Sequence, residues 1–212
     1  MDATATLFAQ SLLIGLSIAA PVGQIGVLAI QRTVEHGRAA GLATGLGAAF
    51  ADAVYGAIGA FGITGLIAVL VGLKPWLSGF GALFLVVLAW RIARQPVRPR
   101  SGHTAPDALL RYLGSTFLLT LSNPTTILSF LAIFGTLARQ VAPGNAASPW
   151  AMVGGVLVGS ALWWLVLSTG VGLLRDRFDA RWQRAVNFVS AGVLAAFAAW
   201  QAVSLLAALH SG

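Results

Sequence analysis

Long uncharged runs alternate with short arginine clusters along this 212-residue chain. Ala3–Gln31 contains no Asp, Glu, Lys or Arg, Ala39–Leu73 contains only Asp52, and Pro75–Trp90 contains none. A helix needs about 20 apolar residues to cross a hydrocarbon core of roughly 30 Å. The first run therefore predicts one span, near Thr6–Ile30. At ~1.5 Å per residue, the 35 residues from Ala39 to Leu73 are too long for one crossing. With Pro75–Trp90 they hold two spans, with a break expected among Gly59, Gly62 and Gly65 and a short segment running to Lys74-Pro75. Tyr112–Ala138, Gln140–Leu174 and Ala185–Leu209 predict three more. The pattern predicts an all-α polytopic membrane protein of six transmembrane helices.

Composition agrees and narrows the function. Hydrophobic residues make up 58% of the chain and charged ones 9%, with a mean hydropathy of +0.85. Soluble domains carry roughly 25% charged residues, so a soluble enzyme, a nucleic-acid binder and a disordered chain are excluded together. The net charge of +7 then belongs to orientation in the membrane. Eleven of the 13 basic residues fall in the loops after spans one, three and five, and only Lys74 and Arg139 lie on the other side. The positive-inside rule predicts those loops in the cytoplasm and both termini outside. Five spans would scatter the basic loops over both faces. The first run has Asp2 and no basic residue before it and is longer than a signal-peptide h-region, so it is expected to be retained. With no cysteine, disulfides, thiol redox chemistry and Cys-ligated metals are excluded.

The stretch Arg91–Arg111, with Pro96, Pro99, Gly102 and Pro106, reads as a cytoplasmic linker between a first three-span repeat, 1–90, and a second, 112–212. Three spans per half make such repeats inverted, a recurring transporter plan in which helices break near the midplane. Each half has a break in its first span: Ala20-Pro21-Val22-Gly23-Gln24 in helix 1 and Asn123-Pro124-Thr125-Thr126 in helix 4. Proline removes a backbone donor and clashes with the preceding turn. In lipid the freed carbonyls need partners, for which Gln24, Asn123, Thr125, Thr126, water or a substrate are available. Two unrelated proline kinks would give the same local sequence.

Asp52 is the one acid inside an expected span. Intramembrane carboxylates are costly and usually face the bundle, marking a pathway or site. Gly45, Ala49, Asp52, Gly56 and Gly59 lie on one helical stripe of small residues, the kind that lets helices pack closely, so Asp52 should point inward. Tyr55, at i+3, is placed to hydrogen-bond nearby. A purely structural Asp tied to a neighbouring donor is the alternative. Trp163 and Trp164, with Ser160 and Ser168, sit inside span five, where tryptophan is unusual; they either line a cavity wall, able to stack on a cation, or pack. Gly155-x-x-x-Gly159 is a weak helix-contact motif. His36, His103 and His210 are too scattered for a metal site, and no nucleophile–base pair or phosphate loop is visible, so no enzymatic activity is expected.

Ala20-Pro21-Val22-Gly23-Gln24-Ile25-Gly26-Val27 followed by Gln31-Arg32 resembles the broken first span of the LysE/RhtB family of amino-acid exporters. Phe50-Ala51-Asp52-Ala53-Val54-Tyr55 is similar to the family's second span, and Leu121-Ser122-Asn123-Pro124-Thr125-Thr126-Ile127-Leu128 to its Asn-Pro motif. The resemblance covers essentially the whole chain. Ala20 and Gln24 stand where many members have Gly and Pro, and Ser129 where exporters of basic amino acids tend to carry an Asp, which weakens lysine or arginine as cargo. The resemblance implies an inner-membrane exporter of a small zwitterionic metabolite, an amino acid or derivative, driven by the proton motive force. Pro21, Gly23, Gln24, Asp52, Tyr55, Asn123, Pro124, Thr125, Thr126 and Trp163 form the expected substrate and coupling site. Small amino acid-like molecules and the lipid bilayer are the expected partners, a homo-oligomer is compatible with the sequence, and no nucleic acid, cofactor or resident metal is expected. A divalent-metal exporter of the same superfamily and a non-transporting scaffold or assembly protein are the alternatives; one carboxylate without His or Cys is a poor metal ligand set.

Overall fold

The computed structural model describes residues 3–21, 23–61, 64–95, 105–123, 147–175 and 180–210, together with 126–127, 129–130 and 133. Among these the regular elements are helices: α1 (Ala3–Ala19), α2 (Gln24–His36), α3 (Arg38–Ala60), α4 (Thr64–Arg94), α5 (Pro106–Leu121), α6 (Ala147–Leu174) and α7 (Ala180–His210).

The sequence signals for helix ends account for most of these boundaries. Pro21 cannot continue the ladder of α1, and the axis turns by 76° between Thr4–Ala19 and Gln24–His36. Gly23, with extended backbone, caps the start of α2 and donates its N–H to the Pro21 carbonyl at 2.9 Å. Gly37 then ends α2 at a φ of +93°, a left-handed conformation suited to glycine, and α3 begins at the next residue. Pro106 at the first turn and Asp107 beside the positive end of the dipole start α5. The helix expected from Tyr112 therefore begins earlier, as α5, and Arg111 is helical; residues 95–105 separate α4 from α5, and of these 96–104 lie outside the described residues.

The break between spans two and three falls after Ala60, as the glycines suggested, with Gly62 outside the described residues. The segment leading to Lys74-Pro75 is not separate: it is continuous with the third span in the 31-residue α4, which carries Pro75 inside it. Among the described residues four stretches are long and apolar enough to cross a membrane: Arg38–Ala60, Pro75–Arg94, Ser148–Leu174 and Arg181–Ala207; the bent α1–α2 pair makes a fifth if it is one broken span. Of the expected Tyr112–Ala138 span, α5 and the helical residues 126–127, 129–130 and 133 are described.

Helix α6 packs along α1 and α3, α3 also packs along α5, and α4 pairs with α7; α2 covers α3 and reaches α6 and α7. Small residues set these distances. A Cβ on Gly159 would lie 2.8 Å from the Leu12 carbonyl carbon, and one on Gly155 2.8 Å from Ser11 Cβ, so the Gly155-x-x-x-Gly159 pair is where α1 meets α6 backbone to backbone. Leu83, Val86, Phe188 and Val203 are exposed on α4 and α7. Such an apolar exterior suits lipid, not water.

Candidate functional site

A cavity of about 310 Å³ lies where the α1–α2 break meets the end of α5. Pro21, Gly23 and Gln24 line it from the first break, Asn123 and Thr126 from the second, and Asp52 from α3. Described residues flanking the two expected breaks, Pro21, Gly23 and Gln24 from the first and Asn123 and Thr126 from the second, thus line one space. Asp52 is 14 residues past Arg38, ~21 Å along α3 from its basic end.

The local chain path explains why polar backbone faces this space. The first intrahelical bond of α2 runs from Val27 N–H to the Gly23 carbonyl at 3.0 Å. The N–H groups of Gln24, Ile25 and Gly26 therefore have no carbonyl of their own helix to bond, and these three residues line the cavity. A helix N-terminus of this kind favours a carboxylate or other anion. At the second break, Pro124 has no N–H for the Thr120 carbonyl, which accepts instead from Asn123 N–H at 3.1 Å. The Asn123 carbonyl accepts from Ile127 N–H at 3.3 Å, starting the helical residues beyond.

Asp52 is 4% exposed. Ser160 Oγ donates to its Oδ2 at 2.8 Å, and Trp164 Nε1 donates to Ser160 Oγ at 3.2 Å. Trp164 sits against Gly45, where a Cβ would lie 2.7 Å from its Cδ2, so Gly45 gives α6 room to approach α3 where Ser160 meets Asp52. Among the described residues Asp52 has no cationic side chain at salt-bridge distance. Thr120 Oγ1, also on the cavity wall, is buried with no hydrogen-bond partner among the described residues. The space therefore offers one oriented carboxylate, one hydroxyl without a partner among the described residues and the N-terminal amides of α2. That combination can hold an ammonium at one end and a carboxylate at the other.

The structure distributes the remaining expected residues differently. Tyr55 does not reach into the cavity: its hydroxyl donates to the Leu121 carbonyl at 2.5 Å, satisfying the last turn of α5. Trp163 is half-buried and packs on the apolar core, while its neighbour Trp164 lines the cavity, so the two mid-span tryptophans divide the roles. One helical step, ~100°, separates the two faces. Pro124 and Thr125 lie outside the described residues. Trp200 and Gln201 of α7 and Ser129 also line the cavity. Gln201, an amide in the middle of an apolar span, was the signal that could have pointed to α7. Arg32, counted in the sequence as a loop charge, is 6% exposed and enclosed by the bundle. Among the described residues no three His, Asp or Glu side chains gather as a metal-binding group.

The family described as LysE type translocator matches residues 16–204. A Bacillus subtilis (strain 168) protein named "Putative amino acid efflux protein YcgF" is 27% identical over 194 residues, covering 90% of this chain and 92% of that protein. An Escherichia coli (strain K12) protein named "Uncharacterized membrane protein YahN" is 30% identical over 176 residues, covering 80% of this chain and 77% of that one. No solved structure matches the chain. With the family spanning nearly the full length, the chain belongs to the LysE type translocators.

Proposed function

We propose that this LysE type translocator exports a small zwitterionic metabolite, an amino acid or a close derivative, through the Asp52 cavity at the expense of the proton motive force. The observation that carries the reading is the meeting of a buried carboxylate, without a cationic partner among the described residues, with the N-terminal residues of α2 in one cavity of about 310 Å³. Ligand sites of small molecules start near ~300 Å³. Asp52 takes the ammonium and gives up its proton as it does so; the amides of Gln24, Ile25 and Gly26 take the carboxylate; Thr120, Asn123, Thr126 and Gln201 meet remaining polar groups. The name of the Bacillus subtilis relative supports an amino acid as cargo.

The helix pairings support two inverted three-span halves, 1–90 and 112–212. Exchanging α1 with α5, α3 with α6 and α4 with α7 turns the α1–α6 contact into α5–α3 and leaves the α3–α6 and α4–α7 contacts unchanged. Six spans put the helix ends bearing Arg38, Arg91, Arg111 and Arg175 on the cytoplasmic side of a bacterial-type inner membrane and both termini outside.

Everted membrane vesicles test the proposal. Energised to an acid interior, vesicles carrying this chain should accumulate one or more radiolabelled amino acids, and dissipating the proton gradient should abolish the accumulation. A scaffold protein would leave uptake equal to that of control vesicles across the whole amino-acid panel.

A further inference from the structure

We infer that a second cavity, at the arginine-bearing end of the bundle, binds an oxyanion carried on an apolar body: the carboxylate of a soluble metabolite or the phosphate of a lipid. This cavity, about 360 Å³, lies between α2, α4 and α5 and shares no lining residue with the Asp52 cavity. Arg32 is eight residues from Gln24, ~12 Å along α2.

Arg32 is the core of the site. Its Nη1 donates to Thr44 Oγ1 at 3.1 Å, Thr116 Oγ1 at 3.2 Å and the Tyr112 carbonyl at 3.3 Å, and its Nη2 to Ser115 Oγ at 3.2 Å. The Tyr112 ring lies 4.4 Å from the guanidinium carbon. Every one of these partners is neutral. Two helices besides its own thus hold the fork in a fixed orientation without neutralising it, and a buried cation without a counter-charge is strongly unfavourable. The cavity it lines supplies room for that counter-charge.

The remaining lining has the matching chemistry. Arg91 and Arg111 bring two further cations. Among the described lining residues the one acid is Glu35, which already accepts a hydrogen bond from Gln31 Nε2 and lies 3.7 Å from His36 Nδ1. Three guanidinium groups against one carboxylate, among the described residues, make the lining positive. The facing wall is apolar, with Phe84, Leu88 and Ile92 from α4. Arginine on one side and aromatic and aliphatic carbon on the other fit an anionic head with a hydrocarbon body. Helices α4 and α5 scarcely touch, so such a molecule has a path either from the aqueous side or sideways from the bilayer.

The chain has no cysteine, so a single Gln95→Cys at the rim of this cavity reports on it alone. The full-length variant in phosphatidylcholine nanodiscs is reacted with an anionic sulfonatoethyl and a cationic trimethylammonioethyl methanethiosulfonate, each rate divided by that for free 2-mercaptoethanol. The anionic reagent should react about tenfold faster after this normalisation, the size of effect expected of a cleft lined by one sign of charge. Adding Arg91→Gln and Arg111→Gln, both surface changes, should reduce the preference at least threefold. In a second measurement L-norleucine, but not L-norleucinamide, should slow the labelling if the anion is soluble; replacing part of the phosphatidylcholine by phosphatidylglycerol should slow it if the anion is a lipid. Equal normalised rates, a preference insensitive to both substitutions, or protection by neither norleucine nor phosphatidylglycerol would overturn the assignment. None of these readings requires transport, so they stand or fall separately from the export proposal.

Discussion

Replacing Asp52 by Asn separates a working carboxylate from a structural one. The amide has nearly the same shape, and its Oδ1 can still accept from Ser160 Oγ, which lies 2.8 Å from the present Oδ2. The Ser160–Trp164 bond at 3.2 Å is untouched, so the purified variant should melt within ~1 kcal/mol of the parent, one ordinary hydrogen bond. What is lost is the charge. A charge-assisted bond to a cargo ammonium contributes ~1.5–3 kcal/mol, which corresponds to roughly tenfold to a hundredfold in Kd. A thermal melt with the cargo identified in vesicles, held at about 100 times the parent's Kd, should stabilise the parent by ~2.7 kcal/mol. A hundredfold weaker variant would be stabilised by only ~0.4 kcal/mol at the same concentration. With no exchangeable proton at this position, accumulation against a gradient should also disappear. Asp52→Leu is the control for fold: it strands the Ser160 hydroxyl in the core, and the melt should fall by ~1–3 kcal/mol. If Asp52→Asn binds cargo with parental affinity and exports it under a proton gradient at the parental rate, Asp52 is a structural group and the coupling scheme is wrong.

Three further outcomes follow from the packing. Tyr55→Phe leaves the half-buried Leu121 carbonyl without its 2.5 Å donor and should lower stability by ~0.5–1.5 kcal/mol in a detergent-solubilised melt, with cargo affinity changed far less than by Asp52→Asn. Gly159→Ala drives a methyl to 2.8 Å from the Leu12 carbonyl carbon; separating α1 from α6 should cost ~1–3 kcal/mol, and an unchanged melting temperature would contradict the close approach. Pro124→Ala restores a donor for the Thr120 carbonyl and should straighten the second break, removing export while leaving membrane insertion intact; normal export would reduce this proline to an ordinary kink.

Much of the architecture is local and was therefore legible. The apolar stretches within α3, α4, α6 and α7, the helix stop at Pro21, the break after Ala60 and the inward stripe of Gly45, Ala49 and Asp52 each follow from properties of consecutive residues: lengths of uncharged chain, a missing N–H, a 3.6-residue period. The same reasoning brought Pro21, Asp52 and Asn123 forward as site residues, and all three line one cavity. Where a local rule misled, distant chain was the cause. Counting charges assigns Arg32 to a loop, because nothing near it in sequence shows that Thr44 and, more than 80 residues away, Ser115 and Thr116 supply oxygens to its guanidinium. Helical periodicity cannot decide between Trp163 and Trp164 without knowing that Gly45 leaves a hollow opposite one of them. Tyr55 and Asp52 share a helix, yet one serves the end of α5 and the other answers to Ser160, 108 residues along the chain. The sequence by itself determined which segments are apolar enough to enter a membrane and where α1 stops, because transfer into lipid and a missing N–H are properties of each segment. Only the tertiary structure decided which polar groups meet, because the partner of a buried hydrogen-bonding group is selected by the packing of helices far apart in sequence.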